Sequence, residues 1–268
     1  MLIKLTNQCS MNCPHCMDDA KDVGDMMTID TFRNAVSFGM FLGDRVFTLS
    51  GGEPTENDKI VDMCKLLDRS LREYGGIFSI VSNGMWLKDE RKRFRVKRIC
   101  EMKSFAAMQV YTNKKWYKEY DYVVEHRNEY ELYPGVIVDV DSKIFMEDLG
   151  RARTNEKAQE EVKSNTHFMS CTNAILAAIQ ALFPSDCCSS LNEHKQFCKP
   201  QVDCNGFVRM SESCLCPSVG NVNTESFDYI WKKMRDFRPC GKCYQYKVFM
   251  ESDRIDAIMA KDVLGISK

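Results

Sequence analysis

Cys9, Cys13 and Cys16 lie within eight positions of the stretch LTNQCSMNCPHCMDD, separated by three and by two residues. A disulfide uses two cysteines and a structural zinc uses four ligands, so three thiols are an incomplete set for either. Three thiolates can hold three irons of a four-iron cluster and leave the fourth iron open, whereas ferredoxin clusters are closed by four cysteines. The competing use is a zinc ion with His15 as fourth ligand. His15 and Cys16 are adjacent, which strains joint ligation, and the spacing differs from the common zinc patterns. Nine further cysteines fall between Cys171 and Cys243, while Cys64 and Cys100 sit alone in helix-like stretches and read as core packing.

The elements that must position these residues alternate between two periodicities. MTIDTFRNAVSFGMFLG places Ile29, Phe32, Ala35, Val36 and Met40 at helical spacing and ends in Gly43. RVFTLSGG is a short β-rich run closed by two glycines. TENDKIVDMCKLLDRSLREYGG is a second helix, with Thr55 or Asn57 as cap and Gly75 as stop. IFSIVSNG, FAAMQVYTN and GVIVDVDSKIF read as strands; KDERKRFRVKRICEMK, EYDYVVEHRNEYEL and NEKAQEEVKSN read as helices. Alternation of this kind predicts an α/β protein with a parallel sheet, here a partial (β/α)6 TIM barrel. Ligands in such folds gather at the carboxyl ends of the strands. Those ends read TNQC, SGGEPT, SNG and YTN. The pattern breaks near residue 165, which divides a core at 1–165 from a small cysteine-rich α+β extension at 166–268, with a hairpin over 197–211.

Composition excludes several classes. The net charge is −1 with 28% charged residues dispersed along the chain, which gives no general case for nucleic acid or an acidic membrane as partner. AILAAIQALF is too brief to span a bilayer, and the first residues lack the features of a secretion signal. A cytoplasmic location is expected, where thiols stay reduced and clustered cysteines point to metal rather than crosslinks.

The Cys-x3-Cys-x2-Cys loop after the first strand resembles the radical S-adenosylmethionine (SAM) superfamily. That resemblance implies an enzyme in which the open iron is chelated by the amino and carboxylate groups of SAM, and in which SAM is reductively cleaved to a 5′-deoxyadenosyl radical. It implies that SGGEPT is the segment binding the SAM amino group, through Gly51, Gly52 and Glu53. It places Asn83 of SNG near the ribose, Thr112 of YTN at the end of strand four, and Arg151 of LGRA beside the SAM carboxylate. The pattern departs from the family at His15, where an aromatic residue is common, and at Asp139, where a glycine of a strand-five motif would stand.

Residues 198–243 resemble the auxiliary-cluster extensions called SPASM and twitch. The matches are Cys198, Gly206, Cys214 (or Cys216), Gly220-Asn221, Trp231, Cys240 and Cys243. The resemblance implies one auxiliary [4Fe–4S] cluster held by Cys198, Cys214, Cys240 and Cys243, with Cys204 an alternative to Cys198; a zinc site from the same cysteines is the other use. Of the unassigned thiols, Cys187 in the loop PSDCCSSLN is the candidate hydrogen donor to a substrate radical. The relatives so implied modify peptides or proteins by crosslinking, epimerisation or oxidation, or dehydrogenate aminosugars and aminocyclitols. Peptide modification is the first expectation and small-molecule oxidation the second. Strand one begins at residue 2, so a peptide substrate calls for a separate leader-binding protein or a leader-independent mode. Flavodoxin or ferredoxin is the expected electron donor. A non-catalytic metal protein binding nucleic acid through the basic helix KDERKRFRVKR is the alternative of another class.

Overall fold

The computed structural model describes residues 1–141, 150–164, 200–210 and 217–236. Five strands, β1 (Leu2–Lys4), β2 (Val46–Ser50), β3 (Ile77–Ser82), β4 (Phe105–Thr112) and β5 (Val136–Val140), lie side by side in chain order and are all parallel. Helices α1 (Ile29–Phe41), α2 (Ile60–Arg72) and α3 (Glu90–Cys100) make the first three crossovers. The fourth is a pair of short helices, α4 (Tyr120–Glu125) and α5 (Arg127–Tyr130), where one helix is expected. The break falls at His126, whose ring stacks on Tyr122 at 4.0 Å while its Nδ1 lies 2.9 Å from the Tyr122 carbonyl. A sixth helix, α6 (Glu156–Ser164), follows a turn of 3₁₀ helix at Gly150–Thr154.

Local sequence explains the helix ends. Thr28 caps α1 by accepting from the Thr31 N–H at 3.1 Å. Gly43 (φ 81°) and Gly75 (φ 67°) take the left-handed conformation just past α1 and α2. Neither Thr55 nor Asn57 caps α2, which begins at Ile60. Asn57 braces the interior instead, donating from Nδ2 to the carbonyls of Leu5 and Met27 at 3.1 Å each.

One face of the sheet is apolar and meets the helices. Ile3, Phe47, Leu49, Phe78, Ile80, Met108 and Val110 pack against Phe32, Val36, Phe38, Met63, Leu67 and Ile99. Cys64 is fully buried in this core, as its setting predicts, and Cys100 packs at its edge. The opposite face mixes Lys4, Ser50, Thr48, Ser79, Gln109 and Tyr111 with Val46, Ile77, Val81 and Ile137; Lys4 lies opposite Ser50 and Thr48 opposite Ser79. This more polar face is left for something other than core packing.

The C-terminal hairpin joins the same sheet. Strand β6 (Gln201–Val202) pairs parallel with β1, then β7 (Phe207–Arg209) and β8 (Gly220–Asn221) continue antiparallel, followed by α7 (Phe227–Asp236). The sheet order is β5-β4-β3-β2-β1-β6-β7-β8. Val202, Val208, Val222, Ile230 and Met234 belong to the same apolar cluster as Phe38, and Phe227 packs on Phe38 with ring centroids 5.4 Å apart. The extension is therefore seated on the core through shared side chains. Ile230→Ala is expected to lower stability by about 2–4 kcal/mol and to leave a single unfolding transition, checked by urea denaturation followed at two wavelengths. Residue 165, the expected division of the chain, falls outside the described residues, as do Cys187, Cys198, Cys214, Cys240 and Cys243.

Candidate functional site

The cysteine loop is shaped by its own residues. Asn12 (φ 46°) and Asp19 (φ 49°) adopt the left-handed conformation that Asn and Asp tolerate best, one on either side of the Cys13–Cys16 turn. That turn is closed by the Cys16 N–H donating to the Cys13 carbonyl at 3.2 Å, with Pro14 at the position whose φ proline pre-sets. Residues 19–27 then run back along 5–9. The Cys9 N–H donates to the Lys21 carbonyl at 2.6 Å, and the Met27 N–H to the Leu5 carbonyl at 2.9 Å.

The three thiols are close enough to act on one another. Burial, then the Cys9 and Cys16 thiols, push Cys13 up to about 12, and Arg151 pulls it down. Burial also raises Cys9 and Cys16. The Tyr117 hydroxyl is raised by burial and by all three thiols, which places it beside the trio. Thiols held this high stay protonated until a metal displaces their protons. N–H groups already aim at two of the sulfurs: Ala20 N–H lies 3.4 Å from Cys16 Sγ, and Asn83 Nδ2 lies 3.5 Å from Cys9 Sγ.

Among the described residues no three His, Cys, Asp or Glu side chains converge on one point as a single metal ion requires. A cluster makes a different demand, since each thiolate takes its own iron. The zinc alternative needs His15 turned to the thiols. Its ring instead packs against Trp116 and Tyr117, with centroids 5.3 and 5.2 Å away. Burial there lowers His15 to about 4, and its buried Nδ1 has no hydrogen-bond partner.

The turn after β2 lies directly on the chain leading into Cys9. Gly52 N–H donates to the Thr6 carbonyl at 2.7 Å, and Glu53 N–H to the Gln8 carbonyl at 2.8 Å. A Cβ on Gly51 would stand 2.3 Å from Thr6 O, and one on Gly52 2.1 Å from Gln8 O. Both glycines are thus required by the packing of one loop on another. Gly51 also has a left-handed φ of 129°.

Glu53 is buried and ties β2 to β3. Its Oε1 accepts from Thr55 N at 3.1 Å, Thr55 Oγ1 at 2.7 Å and Ser82 Oγ at 3.0 Å, and its Oε2 accepts from Asn83 N at 2.7 Å. Burial raises its carboxyl above the ordinary value despite these bonds. The Thr112 hydroxyl is fully buried at the end of β4 and has no hydrogen-bond partner.

Arg151 enters the cysteine loop. Its Nε donates to the Cys13 carbonyl at 2.9 Å; its Nη1 donates to the Ala20 carbonyl at 2.8 Å and to Asp19 Oδ1 at 3.1 Å. Its backbone N–H donates to the Cys16 carbonyl at 2.9 Å. Gly150 makes this approach possible: with φ 49°, it has the Cys16 and Met17 carbonyls 2.5 and 2.6 Å from where a Cβ would be. The structure therefore gathers Cys9, Cys13, Cys16, Gly51, Gly52, Glu53, Asn83 and Arg151 into one connected neighbourhood. The sulfur-facing amide of Asn83 and the loop-spanning guanidinium of Arg151 have no local signature in the sequence.

A cavity of about 240 Å³ opens on the polar face, between the cysteine loop and the hairpin. Lys4, Asp18, Gln201, Asp203, Cys204 and Arg209 line it. Lys4 pairs with Asp18, and Arg209 with Asp203 at 3.8 Å. Burial, then Asp203 and Asp25, push the Cys204 thiol up to about 11. The basic helix α3 has partners of its own: Lys92 pairs with Glu56 at 2.7 Å and Arg98 with Glu101 at 3.8 Å.

These features define an α/β protein with a mostly parallel sheet that presents a cysteine trio, a glycine turn and a buried carboxylate at the carboxyl ends of neighbouring strands. Residues 3–106, which include all of those groups, match the family model described as the radical SAM superfamily. It is 32% identical over 96 residues to GTP 3′,8-cyclase of Clostridium perfringens, a match covering 34% of this chain and 28% of that protein. The matches to the curated relatives span about a quarter of their length. The fold is similar to that of BtrN in complex with AdoMet and 2-DOIA (TM-score 0.53, 13% identity, 93% of this chain and 85% of that one). It is also similar to native anSMEcpe with bound AdoMet and the Cp18Cys peptide (TM-score 0.51, 16% identity, 98% and 91%). Among the described residues no helix is long and apolar enough to cross a membrane.

Proposed function

We propose that this chain is a radical SAM enzyme in which Cys9, Cys13 and Cys16 hold a [4Fe–4S] cluster whose fourth iron takes SAM. The observation that carries this reading is the loop of Cys9, Cys13 and Cys16 seated on the Gly51–Glu53 turn, within residues that match the radical SAM family model. Bound there, cluster and SAM supply an electron-driven cleavage of the sulfonium to methionine and a 5′-deoxyadenosyl radical, which takes a hydrogen atom from substrate. The chain's own residues do the positioning. Arg151 holds the loop and its charge favours thiolate at Cys13 and Cys16. Glu53 locks the β2 and β3 ends together. Gly51 and Gly52 bring that lock against the cysteine loop, and Thr112 offers a hydroxyl with no internal partner.

The substrate is a peptide or protein, modified at carbon, with flavodoxin or ferredoxin as electron donor and a separate protein to present a leader segment. Likeness in fold to anSMEcpe, whose structure contains a peptide, supports this class. A small-molecule oxidation is the second reading, supported by the size of the cavity beside the cysteine loop and by the likeness to BtrN with 2-DOIA. One auxiliary [4Fe–4S] cluster on Cys198, Cys214, Cys240 and Cys243 completes the proposal. The seating of the β6–β7 hairpin on β1 supports it by bringing the segment between these cysteines next to the first loop.

The test is anaerobic reconstitution followed by SAM and dithionite. Wild-type protein is expected to release 5′-deoxyadenosine. Cys13→Ala is expected to lower that release below detection while keeping the iron of the auxiliary cluster. Equal loss of all iron in Cys13→Ala counts against two separate clusters, and wild-type protein that binds only zinc rejects the proposal.

A further inference from the structure

We infer that Asn83 sets the reduction potential of the N-terminal cluster through an N–H···S hydrogen bond to Cys9, a role that rests on the cluster reading above. The orientation of the amide decides the matter. The Met85 N–H donates to Asn83 Oδ1 at 2.8 Å, and only the oxygen end of the amide can accept it. The NH₂ end is thereby turned to Cys9 Sγ, 3.5 Å away.

The backbone around the amide is held on both sides. Asn83 N–H donates to Glu53 Oε2 at 2.7 Å, and Gly84 N–H to Ser82 Oγ at 3.0 Å. Tyr130 OH donates to the Gly84 carbonyl at 2.7 Å, and Gly84 has the left-handed φ of 82° that this turn needs. Asn83 itself is buried. A donor fixed in this way, with little water around it, needs no reorganisation when the charge at the sulfur changes.

The direction of the effect follows from charge. The reduced cluster carries one more negative charge than the oxidised cluster, and part of it resides on the cysteine sulfurs. A donor aimed at a sulfur stabilises the reduced form more and raises the potential. Asn83 stands between Cys9 and Glu53, with its side-chain amide on the sulfur and its backbone N–H on the carboxylate. Asn83→Ala deletes the side-chain donor and leaves the backbone N–H in place.

The experiment is a redox titration followed by electron paramagnetic resonance on the anaerobically reconstituted full chain. The signal of the N-terminal cluster is identified as the one missing from Cys13→Ala. Asn83→Asp is expected to move its midpoint to more negative potential with iron content unchanged. Asn83→Ala is expected to move it the same way by less, because it deletes the donor without adding a charge. Unchanged midpoints at full iron loading, or a positive shift in either variant, overturn the inference. So does loss of the N-terminal iron in both variants at wild-type circular dichroism, which would make Asn83 a holder of the loop rather than a tuner. Wild-type protein that takes up no iron overturns the proposed function itself.

Discussion

Gly52→Ala is expected to cost about 3 kcal/mol and to strip the N-terminal cluster site of most of its iron. The new methyl carbon would sit 2.1 Å from Gln8 O, 2.6 Å from Gln8 C and 3.0 Å from Asn7 C. All three are backbone atoms, so no side chain can rotate away. Relief requires the turn after β2 and the segment Asn7–Gln8 to part. That breaks the bonds from Gly52 N to Thr6 O and from Glu53 N to Gln8 O, and moves Cys9, the next residue. Urea denaturation and iron analysis after reconstitution measure the two effects. Gly75→Ala is the contrast: Gly75 has a left-handed φ, which Gly52 lacks, but nothing lies within 4 Å of its missing Cβ. It should cost about 1 kcal/mol and leave iron loading unchanged. Full iron loading in Gly52→Ala would mean that the two loops do not meet as described.

Arg151→Gln is expected to lower stability by about 2 kcal/mol and to weaken iron retention by roughly tenfold or more. The guanidinium donates to Cys13 O, Ala20 O and Asp19 Oδ1, bridging both ends of the loop from a residue more than a hundred positions away in the chain. Glutamine keeps a donor but loses the fork and the charge. The charge matters separately, because Arg151 lowers Cys13 and Cys16, and thiolate is the form that binds iron. Iron release to a chelator should therefore quicken, and the pH needed for reconstitution should rise, relative to wild type. Arg151→Lys separates the contributions: it restores the charge, hence the pH dependence, while recovering only part of the stability. A variant with unchanged stability and chelator kinetics would show that the clamp is dispensable.

Much of the framework was legible in the chain. The five strands, the first three crossover helices and the left-handed stops at Gly43 and Gly75 follow from hydrophobic spacing and turn chemistry, which are local. Where local rules compete, the reading slipped. Asn57 looked like a helix cap, but α2 begins three residues later and the Asn57 amide donates to two carbonyls far away in the chain, Leu5 and Met27. His126 looked like a helix interior until its ring engaged Tyr122. In the same way the Gly51–Gly52 pair was legible as a turn closing a strand, while the reason for glycine, the proximity of Thr6–Gln8, was not.

From the sequence alone came the trio Cys9, Cys13 and Cys16 and the alternation that sets a polar loop at the end of each strand. These depend on residue type and short spacing, which the chain states directly. Only the tertiary structure turned the Asn83 amide to Cys9, brought Arg151 into the cysteine loop, set His15 between Trp116 and Tyr117, and laid the 201–221 hairpin along β1. Each of these joins residues far apart in the chain, and its geometry follows from how strands register and helices pack, quantities that no short stretch of sequence contains.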